Sequence, residues 1–331
     1  MQLLKNQGKF DVAYDIVAPD ISLGGTGNQT KYSMNFNLYH EPSSVKSAFL
    51  DLAVLVKDLS VRRWKISIAD VVLTREFKPQ NCRKISNGYV CKLVFDVTPI
   101  IKSKMTDEYN VEINYLELKE LTLLHIGLLT VYNDENASSK YIYVVEPIVI
   151  EANRSISIDI DQPMSEANIK MSIYLPHASA KLLIKGDGYE KALTEYRGTI
   201  EYTGQVGSIK TLMLSHIGNA TYLPREIIIP AMLIYETTAP KPVIDVRMAT
   251  RREYDTVSIE IRNSGEKKVT NMIVVSISLG NIIERKIIDE LNPGETKVIN
   301  VKINPEALTT IRVIWKHKGE NFIREIKVRS S

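Results

Sequence analysis

Apolar and polar residues alternate with period two along almost the whole chain. Met34, Phe36 and Leu38 alternate with Ser33, Asn35, Asn37 and Tyr39, and Leu50, Leu52, Val54 and Val56 share one face of the next run. Trp64, Ile66 and Ile68 alternate with Lys65 and Ser67; Cys91, Leu93, Phe95 and Val97 repeat the pattern, as do Val111, Ile113 and Tyr115. Successive strand side chains point to opposite faces, so each run is expected to bury one face and wet the other. Antiparallel sheets packed as sandwiches read this way. Helical periodicity is scarce. The run from Leu116 to Leu124 could form a short helix, but its strand-like flanks favour a strand or crossover. A doubly wound α/β enzyme needs long amphipathic helices between its strands, and none is legible. The fold class expected is all-β, with antiparallel β-sandwiches in tandem.

Two boundaries stand out. Thr237-Thr238-Ala239-Pro240-Lys241-Pro242 holds two prolines in three residues, which stiffen a linker and cannot sit in a central strand. A softer boundary lies near Pro147 to Ser155, where the run Tyr141 to Val145 gives way to a new β series. The expected blocks are 1–150, 151–238 and 239–331, the second being free to pack intimately with the first. The length of 331 residues accommodates two or three cores.

The last block is the most legible. Ile244, Val246 and Met248 form one apolar face, and Val257, Ile259 and Ile261 another, followed by the turn Arg262-Asn263-Ser264-Gly265. Val275, Ile277 and Leu279 run to Gly280-Asn281; Leu291-Asn292-Pro293-Gly294 is the next tight turn; Ile299, Val301 and Ile303 follow it. Ile311 to Trp315 and Phe322 to Val328 complete about seven strands, the immunoglobulin-like count. The run Val257 to Gly265, followed by Leu291-Asn292-Pro293-Gly294-Glu295 before a strand, resembles the cell-adhesion-related Ig-like domain (CARDB) of bacterial and archaeal surface proteins. That resemblance covers about 90 of the 331 residues and implies an extracellular structural or adhesive module. It carries over no functional residue. Gly24-Gly25-Thr26-Gly27 and Phe95-Asp96-Val97-Thr98-Pro99 resemble, in the first block, the jelly-roll domains of archaeal surface proteins.

Cys82 and Cys91 are the only cysteines. Between them Ile85-Ser86-Asn87-Gly88 has hairpin-turn chemistry. If all four residues form the loop, Lys84 faces Tyr89 and Cys82 faces Cys91, close enough for a disulfide. If only Asn87-Gly88 turns, Cys91 faces Lys84 and a bridge would be strained; the alternative to a disulfide is two packed thiols. Zinc is disfavoured, because there is no CxxC spacing and no nearby histidine. A disulfide points to an oxidising compartment, with hyperthermophile cytoplasm as the exception.

Four glycosylation sequons start at Asn28, Asn136, Asn153 and Asn219 and matter only on an exposed, secreted chain. No two of His40, His125, His177, His216 and His317 fall at metal-ligand spacing. There is no nucleophile elbow, Walker loop or HExxH, although a spatial triad needs no sequence adjacency. The loop Asn133-Asp134-Glu135-Asn136 and the pair Asp159 and Asp161 offer calcium-type oxygens, and the simpler reading of both is solvated surface.

Charge is balanced, 42 basic residues against 39 acidic, which leaves no footprint for nucleic acid. The most apolar window, Ile227 to Tyr235, is far shorter than the roughly 20 residues of a membrane helix and contains Pro230. The start, Met1 to Gly8, lacks the apolar stretch of a secretory signal. Taken literally, that start means a cytoplasmic chain; a mature, trimmed surface chain is the alternative.

The expectation that follows is a non-enzymatic, archaeal-type cell-surface or appendage protein, without catalytic residues or cofactor, acting through protein–protein contacts or self-assembly. Alternatives are a carbohydrate-binding accessory protein, a cytoplasmic β-sandwich scaffold of a thermophile, and an unrecognised hydrolase.

Overall fold

The computed structural model describes residues 2–60, 63–218, 225–253, 255–318 and 320–328. Strands dominate it, and the sheets are antiparallel throughout. The chain divides into two units, 1–238 and 239–331.

In the N-terminal unit the alternating runs build a jelly-roll-like sandwich of two sheets. The outer sheet has the order β4 (Lys31–Asn37), β10 (Glu108–Tyr115), β6 (Arg63–Ile68), β7 (Val71–Glu76). The middle sheet runs β2 (Asp11–Val17), β11 (Leu121–Tyr132), β5 (Val45–Val56), β9 (Gly88–Asp96), β8 (Asn81–Ile85), with β3 (Ile21–Leu23) also on β11. Leu50, Leu52 and Val54 of β5 meet Ile66, Ile68, Val111 and Ile113 in the core between them.

The only α-helix among the described residues, α1 (Thr98–Lys104), was not foreseen. Its start is nonetheless written locally: Asp96 accepts the Thr98 backbone N–H at 2.9 Å, and Pro99 occupies the first turn, where its missing N–H costs nothing. From 116 to 120 the chain is neither helix nor strand. Leu116 and Leu118 are exposed there, and β11 begins only at Leu121.

A third, eight-stranded sheet covers the back of the middle one. Its order is β1 (Leu3–Lys9), β12 (Ser138–Val144), β18 (Ile227–Thr237), β14 (Ser155–Leu175), β17 (Gly198–Ile217), β15 (Lys181–Gly186), β16 (Tyr189–Leu193), with β13 (Ile148–Ile150) on β18. The blocks 1–150 and 151–238 thus share one sheet. β14 and β17 pair along most of their length, with register shifts between Asp159 and Asn168. Shifts of this kind bend strands from one layer into another. Ile169, Met171 and Ile173 consequently pack in one core with Ile158, Leu182, Ile184 and Leu212. Pro230 lies where β18 changes partner from β13 to β12, and neither ladder uses its missing N–H.

Among the described residues the C-terminal unit is a seven-stranded sandwich. One sheet is β19 (Ile244–Glu253), β20 (Thr256–Asn263), β23 (Thr296–Lys302). The other is β22 (Asn281–Leu291), β21 (Val269–Ser278), β24 (Thr309–His317), β25 (Glu320–Val328). Ile259, Ile261, Met272, Val274, Val313 and Trp315 form its core.

Cys82 and Cys91 are joined, with Cα atoms 4.1 Å apart. The register is Lys84 opposite Tyr89 and Cys82 opposite Cys91, with Ile85 opposite Gly88, so Ser86-Asn87 makes the turn. The bridge ties the edge strand β8 to β9 beside the sandwich core. Replacing both cysteines by alanine is expected to cost about 2–3 kcal/mol through the freed loop entropy. A lowered urea midpoint would show it, and an unchanged midpoint would mean β8 is held by its ladder alone.

Candidate functional site

The middle sheet departs from the simple alternation rule. β11 reads LTLLHIGLLTVY, apolar on both faces, and the eight-stranded sheet buries the face that single-sided alternation would leave wet. Asp51, which alternation places on the solvent side of β5, is instead wholly buried, as are Lys92 of β9 and His125 of β11. Ala53 lies in register between Lys92 and His125, and Asp51 opposite Gly127, so all five residues share one face.

The Asp51 carboxylate gathers three donors. Lys92 Nζ lies 3.0 Å from Oδ2, and His125 Nε2 3.1 Å from the same oxygen. The Tyr14 hydroxyl is 3.0 and 2.9 Å from the two carboxylate oxygens. Lys92 also donates to the Val144 carbonyl at 3.0 Å and sits 4.7 Å over the Tyr143 ring, both on β12 of the covering sheet. The cluster therefore locks one layer to the next.

Burial is the largest influence on the Asp51 carboxyl and pushes its pKa up; the Lys92 ammonium and then His125 outweigh it, holding Asp51 far below the usual carboxylate range. Burial lowers the Lys92 pKa, with Asp51 opposing. The two shifts favour different protonation states. Three donors on one carboxylate fix Asp51 as the ionised partner. Burial, then Asp51, pushes the Tyr14 and Tyr143 hydroxyls well above their ordinary value.

A carboxyl depressed on folding contributes stability above its unfolded pKa, about 3.9, and loses it as pH falls below that value. The urea midpoint of the wild-type chain is expected to drop steeply below about pH 4. An Asp51→Asn variant should start lower and show a shallower drop; parallel curves would contradict the assignment.

Aspartate, histidine, lysine and tyrosine this close are the ingredients of acid–base chemistry. Here, however, every one of those side chains is sealed, and none of the described cavities is lined by them. The nearest thing to an open site is a cleft elsewhere in the same unit, with adjoining lobes of ≈ 200 and ≈ 420 Å³ that share Leu55, Thr122 and Tyr174. Asp20 and Arg197 line its larger lobe. Asp20 adopts a left-handed φ of 48° and accepts the Thr199 N–H at 3.3 Å. Burial, then Asp20, raises the Tyr174 hydroxyl, with Arg197 opposing. A further cavity of ≈ 270 Å³ is flanked by Lys5 and Asp161, which pair at 2.5 Å.

The C-terminal unit presents a different kind of surface. Cross-strand register places Ile287 opposite Ile273, Ile273 opposite Ile314, and Ile314 opposite Ile323. One isoleucine row thus crosses all four strands on the face turned away from the core. The end members Ile287 and Ile323 are 57% and 50% exposed, and the middle pair is half-buried. The next row is Arg285, Val275, Arg312 and Glu325, in which Arg312 pairs with Glu325 at 2.5 Å.

The remaining sequence candidates stay apart. Asn136 and Asn153 lie in exposed turns; Asn28 is half-buried and donates its amide to the Gly24 carbonyl at 2.8 Å; Asn219 lies outside the described residues. His40 pairs with Asp11 at 2.7 Å, His177 with Ser179 at 2.8 Å, and His216 with the Ile150 carbonyl at 3.1 Å. His317 is half-buried at the end of β24. Asp134 accepts the Asn136 N–H, and Asp159 accepts from Thr211. Among the described residues no group of three or more His, Cys, Asp or Glu side chains could hold a metal ion. No helix among them is long and apolar enough to cross a membrane.

No protein-family model matches the sequence, and no curated protein matches it. Among solved structures, the chain is similar to β-glucuronidase 2 of Bacteroides uniformis, with 10% identity over 57% of this chain and 26% of that one, at a TM-score of 0.19. It is similar to the Ruminococcus gnavus β-glucuronidase, with 9% identity over 57% of this chain and 34% of that one, at a TM-score of 0.21. The β-D-glucuronidase of Dictyoglomus thermophilum aligns over 99% of this chain and 43% of its own, with 12% identity and a TM-score of 0.20. The chain spans less than half the length of each of these enzymes, and likeness at this level carries no statement about activity.

Proposed function

We propose that this is a non-enzymatic assembly or adhesion protein of a cell surface or appendage, working through protein–protein contacts. The observation that carries the reading is the isoleucine row on the outer face of the C-terminal sandwich. Contiguous apolar surface of this kind, bordered by charge, marks interaction sites on soluble domains. The sealed Asp51 cluster supports the same reading, because the strongest grouping of acid–base residues meets no solvent. The Cys82–Cys91 bridge and the exposed Asn136 and Asn153 sequons favour an oxidising, extracellular setting.

Lysine-reactive cross-linking on intact native cells tests it. Lys316, one row from the isoleucines, and Lys327, two rows from them on the same face, are exposed and are expected to join other polypeptide chains. Cross-links confined within single chains would remove the proposal.

A second reading, carbohydrate binding, is favoured by the cleft at Tyr174, where an aromatic ring stands beside Thr122, Asp20 and Arg197. Calorimetric titration with pyranose oligosaccharides tests that reading. Heat lost in a Tyr174→Ala variant would support it, and no heat with the wild-type chain would end it.

A further inference from the structure

We infer that the partner seated on the isoleucine face is a second copy of this chain, related by a two-fold axis that runs along the strands between β21 and β24. The inference rests on the assembly reading above and names its partner. The sheet order β22-β21-β24-β25 makes the face self-complementary. Rotation about that axis lays β22 against β25 of the second copy and β21 against its β24, without sliding the rows. Ile287 then meets Ile323 of the second copy, and Ile273 meets Ile314.

The neighbouring row carries the charge argument. The same rotation sets Arg285 against Glu325 of the second copy, and Arg312 against Val275. Arg285 is exposed and forms no ion pair among the described residues, whereas Glu325 holds only Arg312. Each copy thus offers one unmatched cation and one carboxylate with spare acceptor capacity, and the two-fold brings both pairs together. Sheets facing each other this way pack about 10 Å apart, as the two layers of a sandwich do. Four strands by eight residues cover roughly 500 Å² on each copy. The total, about 1,000 Å², sits at the lower limit for a specific interface. A reversible dimer with a dissociation constant on the order of micromolar is expected.

Two measurements on the full chain decide it. In sedimentation equilibrium the wild type is expected to show monomer and dimer in exchange. Arg285→Glu should weaken the dimer at least tenfold, and adding Glu325→Arg should restore most of that loss, with circular dichroism confirming that every variant is folded. For register, Ile287 and Ile323 lie three strand spacings apart in one chain, about 14 Å, too far for an internal disulfide. The double variant Ile287→Cys/Ile323→Cys should therefore form a covalent dimer under mild oxidation, and neither single variant should. A chain that stays monomeric to millimolar concentration overturns the inference, as do single cysteines that link as readily as the pair. Monomeric behaviour combined with in-cell cross-links from Lys316 or Lys327 to another protein would remove only the homotypic partner. Monomeric behaviour without such cross-links would remove the assembly reading as well.

Discussion

Replacing Lys92 with methionine is expected to destabilise the N-terminal unit by about 3–5 kcal/mol, the usual cost of leaving one partner of a buried ion pair behind. Methionine keeps most of the stem's volume, so the cost is electrostatic rather than a cavity. Three things are lost together: the ammonium that holds Asp51 ionised, the bond to the Val144 carbonyl, and the contact over the Tyr143 ring. Trp64 lies in the N-terminal unit and Trp315 in the C-terminal one, so urea unfolding in a Trp315→Phe background reports the first unit alone. An Asp51→Asn/Lys92→Met double variant should be more stable than the sum of the single losses by at least about 1 kcal/mol, since the two side chains touch. A Lys92→Met loss below about 1 kcal/mol would contradict a sealed interlayer lock.

Gly127→Ala carries the second large effect. In most strands alanine is neutral or better than glycine, because glycine weakens a strand. Here the added Cβ would lie 2.6 Å from Asp51 Oδ1 and from Tyr14 Cε2, and 2.8 Å from His125 Nε2. None of these groups is the loose end of a flexible side chain. The variant is expected to lose about 1–3 kcal/mol by overpacking. It should also release Asp51, flattening the acid limb of the stability curve. A neutral or stabilising result would mean that the two sheets yield easily at this point.

Much of this architecture was legible. Period-two runs such as Trp64-Ile66-Ile68 gave strands in the right places, because one buried face imposes strict alternation. Of the two hairpin registers left open by the sequence, the structure takes the one that sets Lys84 opposite Tyr89 and Cys82 opposite Cys91, with Ser86-Asn87 at the turn rather than Asn87-Gly88. The isoleucine row was not read, since it exists only across strands. Ile273 and Ile314 stand far apart in sequence and become neighbours through register. The Asp51 cluster was missed for a related reason: alternation assigns Asp51 to solvent, and only the covering sheet overrides it. One local signal could have warned of this. β11 is apolar on both faces, which a sheet open on one side does not tolerate.

The division of labour that emerges is simple. The N-terminal unit spends its buried charge on holding layers together, and the C-terminal unit turns an apolar face outward. Gradient fractionation of native cell extracts, soluble and envelope fractions alike, from cells expressing wild-type chain or an Ile287→Glu/Ile323→Glu variant tests the proposed role of that face most directly. Both positions are exposed, so the variant is expected to keep its melting temperature while leaving the high-mass fractions and appearing as free monomer. A folded variant that sediments as the wild type does would contradict the proposal that this face is the working surface.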